Sequence, residues 1–166
     1  MTTLEATEGQ TLPGFTRTFT RADMVRYAGA SGDFNPIHWS DAAAASLGLP
    51  DVIAHGMLTM GTALRVVNDW AGDPGRVLSY SVRFTKPVVV PADGGADVRF
   101  AGTVTKVADG VATVAIEAVC GDTKVLGAAV AEVGALGDGV VAGARAPLVL
   151  DVVSELFGEG AQDAAD

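Results

Sequence analysis

The chain has 166 residues, 49% of them hydrophobic, a mean hydropathy of +0.34 and a net charge of −9 from 20 acidic and 11 basic residues. That length suits one domain around a single core, and the composition excludes a disordered chain. The acidic balance argues against nonspecific nucleic-acid or anionic-membrane partners, and no apolar run reaches the ~18 to 20 uncharged residues of a membrane span.

In chain order, Gly14 to Thr20 alternates Phe15, Arg17 and Phe19 with threonines and predicts a short strand. Thr20, with Asp23 three residues on, reads as an N-cap, and Met24, Val25, Tyr27 and Ala28 repeat at helical spacing, so Arg21 to Ala30 is a predicted helix. Gly32-Asp33-Phe34-Asn35-Pro36 then forbids a regular helix and predicts a shaped loop. Ser40 is another N-cap, before an alanine-rich helix from Asp41 to Leu47 that Gly48 ends. Ile53 to Trp70 is the longest helical candidate, apolar or small almost all round, which predicts burial. Strands follow over Val77 to Val90, Ala96 to Val107, Val111 to Val119 and Lys124 to Val133, separated by turn signals such as Asp109-Gly110 and Gly121-Asp122. Together these predict an α+β layout: an antiparallel meander curved around one central helix.

The predicted domain is 1–135, and 136–166 reads as a flexible acidic tail with a short amphipathic helix over Leu148 to Phe157. From Leu136 onward six acids and one base give −5, which leaves −4 of the total −9 for the rest. A phosphate-bearing ligand therefore remains compatible with the charge. The start, MTTLEATEGQ, carries no secretory pattern, and a lone Cys120 has no internal disulfide partner, so a cytoplasmic location is expected. Cys120, in a Val-rich strand, is expected to be buried and inert.

Both histidines lie between Tyr27 and Gly61. A carboxylate and an imidazole on one rigid loop, Asp33 and His38, can hold a water and move protons in both directions, as hydration or dehydration beside a carbonyl requires. On residue types alone Asp33 can equally be a turn former and His38 an ordinary core histidine. Asn35 reads as a loop-shaping residue. Ala54-His55-Gly56-Met57 opens the long helix, where unsatisfied N–H groups and the positive end of the dipole suit an oxyanion; Gly56 admits a ligand to the backbone, while His55 also reads as a helix-start residue bonded to the backbone. The spacing of Asp33, His38 and His55 matches no zinc signature, so no metal is expected, and without a Walker, G-x-G-x-x-G or G-x-S-x-G motif no nucleotide cofactor or serine nucleophile is expected.

Tyr27-Ala28-x-x-Ser31-Gly32-Asp33-x-Asn35-Pro36-Ile37-His38 and Ile53-Ala54-His55-Gly56-Met57 together resemble the signature of the MaoC-like, hydratase-2 family of (R)-specific enoyl-thioester hydratases and dehydratases. Trp70-x-Gly72-Asp73-Pro74-Gly75 and Val82-Arg83-Phe84-Thr85-x-Pro87-Val88 extend the likeness over roughly residues 10 to 135, and are similar to the catalytic B subunits of heterodimeric (3R)-hydroxyacyl-ACP dehydratases. The resemblance implies a hot-dog fold and no cofactor. It also implies an acyl-CoA or acyl-ACP substrate in fatty-acid metabolism, and a dimer with itself or with another hot-dog subunit. By motif position it places the catalytic groups on Asp33, His38 and the Gly56 N–H, with Asn35, His55 and Met57 orienting the loop or meeting substrate. Some relatives carry a serine in the middle of the central helix; here Thr59 to Leu64 offers only Thr59 and Thr62. Arg65, Arg76, Arg83, Lys86, Arg99 and Lys106 are candidates for meeting pantetheine phosphate.

Two other readings fit the same residues. One is a noncatalytic hot-dog subunit or acyl-thioester binding module. The other is a thioesterase on the same fold, which needs a carboxylate on or near the central helix, and Ile53 to Val67 contains none.

Overall fold

A computed structural model describes residues 4–134 of the chain. The predicted tail, and with it the amphipathic helix at Leu148 to Phe157, lies outside the described residues.

The elements run β1 (Thr11–Phe19), α1 (Arg21–Ser31), a 3-10 turn (Pro36–His38), α2 (Asp41–Ser46), α3 (Gly56–Ala71), a second 3-10 turn (Pro74–Arg76), β2 (Val77–Phe84), β3 (Ala96–Ala108), β4 (Val111–Cys120), β5 (Thr123–Lys124) and β6 (Leu126–Gly134). All strand pairs are antiparallel, in the order β1-β3-β4-β6-β2 with β5 attached to β4. The α3 helix touches β1, β2, β3, β4 and β6, so the sheet curves around it. This is the hot-dog arrangement of one α+β unit.

Period-2 alternation delivers the sheet side of the core. Val98, Phe100 and Val104 of β3, Ala112, Val114, Ile116 and Ala118 of β4, and Ala129, Ala131 and Val133 of β6 are buried. The helix answers with Met60, Ala63, Val66 and Val67. At Gly102 an added Cβ would lie 2.8 Å from the Val66 side chain, so only glycine lets α3 approach β3 this closely. Tyr80 reaches across from β2 and donates its buried hydroxyl to Met60 O at 3.1 Å, which satisfies a polar group that burial would otherwise penalise.

Four expectations are corrected. The strands do not form a simple meander, because β2 pairs with β6 at one edge while β3 pairs with β1. The connection from Thr85 to Gly95 is too long and proline-rich for a hairpin and carries the chain across instead. The central helix begins at Gly56, not Ile53: Ile53 bridges Val89, and Ala54 donates to Val88 O at 2.8 Å, so the preceding residues are extended. The helix is also not buried all round, since Met57, Gly61, Arg65 and Asp69 form an exposed stripe at four-residue spacing. Cys120 is half-buried, and its thiol is pushed upward by burial and by the charge of Asp97.

Candidate active site

The α1 helix sets the direction of the loop that carries Asp33 and His38. Thr20 and Asp23 form a reciprocal capping box at its start, and Gly32 ends it in the left-handed conformation at φ 78°. The loop that follows is held by its own side chains: Asp33 N donates to Ser31 Oγ, Asn35 N to an Asp33 carboxylate oxygen and Ile37 N to Asn35 Oδ1, each at 3.2 Å. Asn35 thereby caps the short turn that carries His38, with Pro36 at its first position. Its loop-shaping role follows from these bonds.

His38 is buried, and its Nδ1 lies 2.8 Å from Ile53 O. A carbonyl only accepts, so Nδ1 carries the proton and Nε2 is left with a lone pair. That Nε2 is 3.9 Å from Asp33 Oδ2. The separation is too long for a direct hydrogen bond and suits one oxygen held between the two groups. The Asp33 side chain is half exposed, so the pair meets solvent from the carboxylate side. Burial, the largest influence, holds the His38 imidazole below its ordinary range; His55 acts in the same direction, while the Ile53 carbonyl and Asp33 oppose it.

His55 joins the loop to the central helix. Its ring stacks on His38 with centroids 3.8 Å apart, Tyr27 meets it edge-on at 4.9 Å, and its Nε2 donates to Asp33 O at 3.1 Å. Its Nδ1 is buried and without a partner among the described residues. His55 is also the N-cap residue of α3, yet no side chain caps that end, so the amides of the first turn, beginning at Gly56, have no side-chain acceptor. A Cβ at Gly56 would lie 3.0 to 3.2 Å from three atoms of the Phe84 ring. The glycine therefore lets an aromatic wall and a backbone donor share one spot.

The structure thus brings Asp33, His38, Asn35, His55 and Gly56 together, with Met57 exposed beside them. It does not recruit Thr59 or Thr62, whose hydroxyls donate to His55 O and Leu58 O of their own helix. Of the basic candidates, Arg65 pairs with Asp69 at 3.5 Å and packs over Phe15. Sequence reasoning missed the Ile53 carbonyl and the edge-on contact of Tyr27, because neither a backbone acceptor nor a ring contact leaves a local signature. Ligand atoms of Asp33, His38 and His55 lie within 4.8 Å of one another, a spacing that could hold an ion. Two of the four ring nitrogens are already committed to carbonyls, so His38 Nε2 and His55 Nδ1 would have to serve it.

A sheet curved around one helix, with a carboxylate and an imidazole 3.9 Å apart near that helix's N-terminus, defines a hot-dog protein. Residues 4–123 match the family described as MaoC like domain, and the chain belongs to that family. Among curated relatives, 3-hydroxyacyl-thioester dehydratase X of Mycobacterium tuberculosis is 47% identical over 76 residues, which is 46% of this chain and 26% of that protein. The chain spans less than half the length of the curated relatives it matches. Among solved structures, the (R)-hydratase from A. caviae involved in PHA biosynthesis shares 26% identity at a TM-score of 0.68, covering 80% of this chain and 98% of that one. The ChsH1-ChsH2 complex from Mycobacterium tuberculosis gives 26% identity and a TM-score of 0.70 over 79% of this chain and 99% of that one.

Proposed function

We propose that the protein is a hydro-lyase that interconverts a trans-2-enoyl thioester and its (3R)-3-hydroxyacyl thioester, with acyl-CoA or acyl-ACP as substrate. The observation that carries this reading is the 3.9 Å gap between His38 Nε2 and Asp33 Oδ2, with the His38 proton held on the opposite nitrogen by Ile53 O.

In the hydration direction a water sits in that gap. His38 Nε2 takes one of its protons while the hydroxide oxygen bonds to the β-carbon, and the electron pair of the double bond moves toward the thioester carbonyl. The resulting enolate oxygen accepts from the Gly56 N–H at the positive end of α3. The imidazolium, stabilised by Asp33, then gives its proton to the α-carbon, so that one water has added and His38 is neutral again. Dehydration is the reverse. Delivery of both parts of the water from one side makes the addition syn.

A hydrolytic reading has less support. α3 carries its only carboxylate, Asp69, near its far end and ion-paired with Arg65. A second subunit of the same fold is supported by exposed apolar groups around the site, Phe34, Trp39 and Met57, and by the two-component make-up of the ChsH1-ChsH2 relative. Crotonyl-CoA tests the reading directly. Loss of enoyl absorbance without thiol release is the expected result; thiol release would identify a thioesterase, and no change with or without a hot-dog partner would identify a binding module.

A further inference from the structure

A half-buried guanidinium, that of Arg21, ties α1 to residues 41, 51 and 90 of the chain. Arg21, the first residue of α1, donates from Nε to Val90 O at 2.6 Å, bonds the Asp51 carboxylate through Nη2 and lies 2.8 Å from Asp41 through Nη1. Asp51 in turn accepts from Val52 N at 2.8 Å. Val52 and Val90 belong to a short ladder in which Val90 N donates to Val52 O at 2.7 Å, Ile53 bridges Val89 and Ala54 N donates to Val88 O. Arg21 therefore clamps both sides of that ladder at one end.

The ladder's central residue is Ile53. Its N–H donates to Ile37 O at 3.2 Å, and its carbonyl accepts from His38 Nδ1 at 2.8 Å. Any displacement of the ladder moves the one acceptor that selects the His38 tautomer. The planar fork of arginine suits three differently directed acceptors, and a lysine ammonium does not reproduce it.

We propose that Arg21 is a positioning residue for His38, acting through Asp51 and Val90 to hold the Ile53 carbonyl against Nδ1. Its kinetic consequence rests on the hydratase reading; its spectroscopic consequence does not. The groups facing His38 are the Asp33 carboxylate from the loop and the His55 ring at the start of α3, itself backed by Tyr27 of α1. The Ile53 carbonyl favours the protonated imidazole against the stronger opposing influence of burial. Loosening it lowers the midpoint further and frees the second tautomer.

The test is 15N-histidine NMR on the full chain, where two histidines are present and His38→Ala assigns the signals. Wild type is expected to show the Nδ1–H tautomer at His38. Arg21→Gln should show mixed tautomers, a lower His38 midpoint and a kcat reduced about tenfold or more with KM little changed, within the ~10²-fold that misplacing a reacting group costs. Arg21→Lys should fall between, and it carries the test should the glutamine variant not fold. Arg26→Ala, on the same helix, should leave spectrum and kinetics unaltered. Retention of a pure Nδ1–H tautomer and the wild-type midpoint in the Arg21 variants would overturn the proposal. Lack of hydratase activity in wild type would remove the functional reading, while the tautomer comparison would still decide the role of Arg21.

Discussion

His38 is buried, and the proposed reaction has it exchange a proton; its surroundings suit both demands. Burial keeps the ring neutral, Ile53 O orders its tautomer, and Asp33 stands ready to balance the charge when it forms. The folded-state midpoint is depressed below the ordinary 6.5, so the folded protein binds fewer protons than the unfolded chain as pH falls through that region. His38 thus contributes stability that is present above 6.5 and lost as pH falls through the depressed folded value. Denaturation midpoints measured from pH 7.5 to 5 should decline, and the decline should be smaller in His38→Ala. At Gly56 a methyl group would press on the Phe84 ring and shift the N–H, so Gly56→Ala should lower kcat by up to the ~10²-fold to 10³-fold that loss of an oxyanion donor costs, while circular dichroism stays native. That Asp33, Asn35 and His38 would lie together was legible because they fall within one loop, and Gly56 because it opens a helix. The Arg21 clamp was not, since it joins residues 30 and 69 positions apart.

At the scale of elements, α1 and the loop behind it act as a bracket for the dyad. Thr20 caps α1 through its hydroxyl and receives the Asp23 carboxylate in return, so Thr20→Ala should cost about 1 kcal/mol and lower the melting temperature by several degrees. Calorimetry on the purified variant measures it, and an unchanged transition would contradict the role of the cap. Local patterning revealed α1, α2, β3 and β4, because capping residues and period-2 alternation are written within each segment, whereas the single strand expected over Lys124 to Val133 is divided into the two-residue β5 and the longer β6. Strand order was not written there. The register that puts β2 against β6 depends on which edge β1 already occupies, a contact between residues far apart in sequence. The extended entry from Ile53 to Ala54 was misread as helix because its apolar residues fit either state, and the ladder with Val88 to Val90 decided it.

For the whole molecule, one curved sheet around one helix leaves Asp33 half exposed while His38 is buried, leaves Phe34, Trp39 and Met57 exposed, each adjoining a site residue in the chain, and leaves an exposed stripe on α3. Large apolar groups exposed next to site residues are surface that a monomer gains nothing by displaying. Native mass measurement should therefore give a dimer, alone or with a second hot-dog protein, and a monomer under every condition would contradict that. No helix of the described residues is long and apolar enough to cross a membrane. Whether Asp33 and His38 add water across an enoyl thioester is decided by the steady-state rate of crotonyl-CoA hydration for wild type, Asp33→Asn and His38→Ala. Wild type should form the (3R)-hydroxyacyl product, and kcat should fall by about 10² to 10⁴ in each variant with the fold intact. Near-normal rates in either variant would contradict that role.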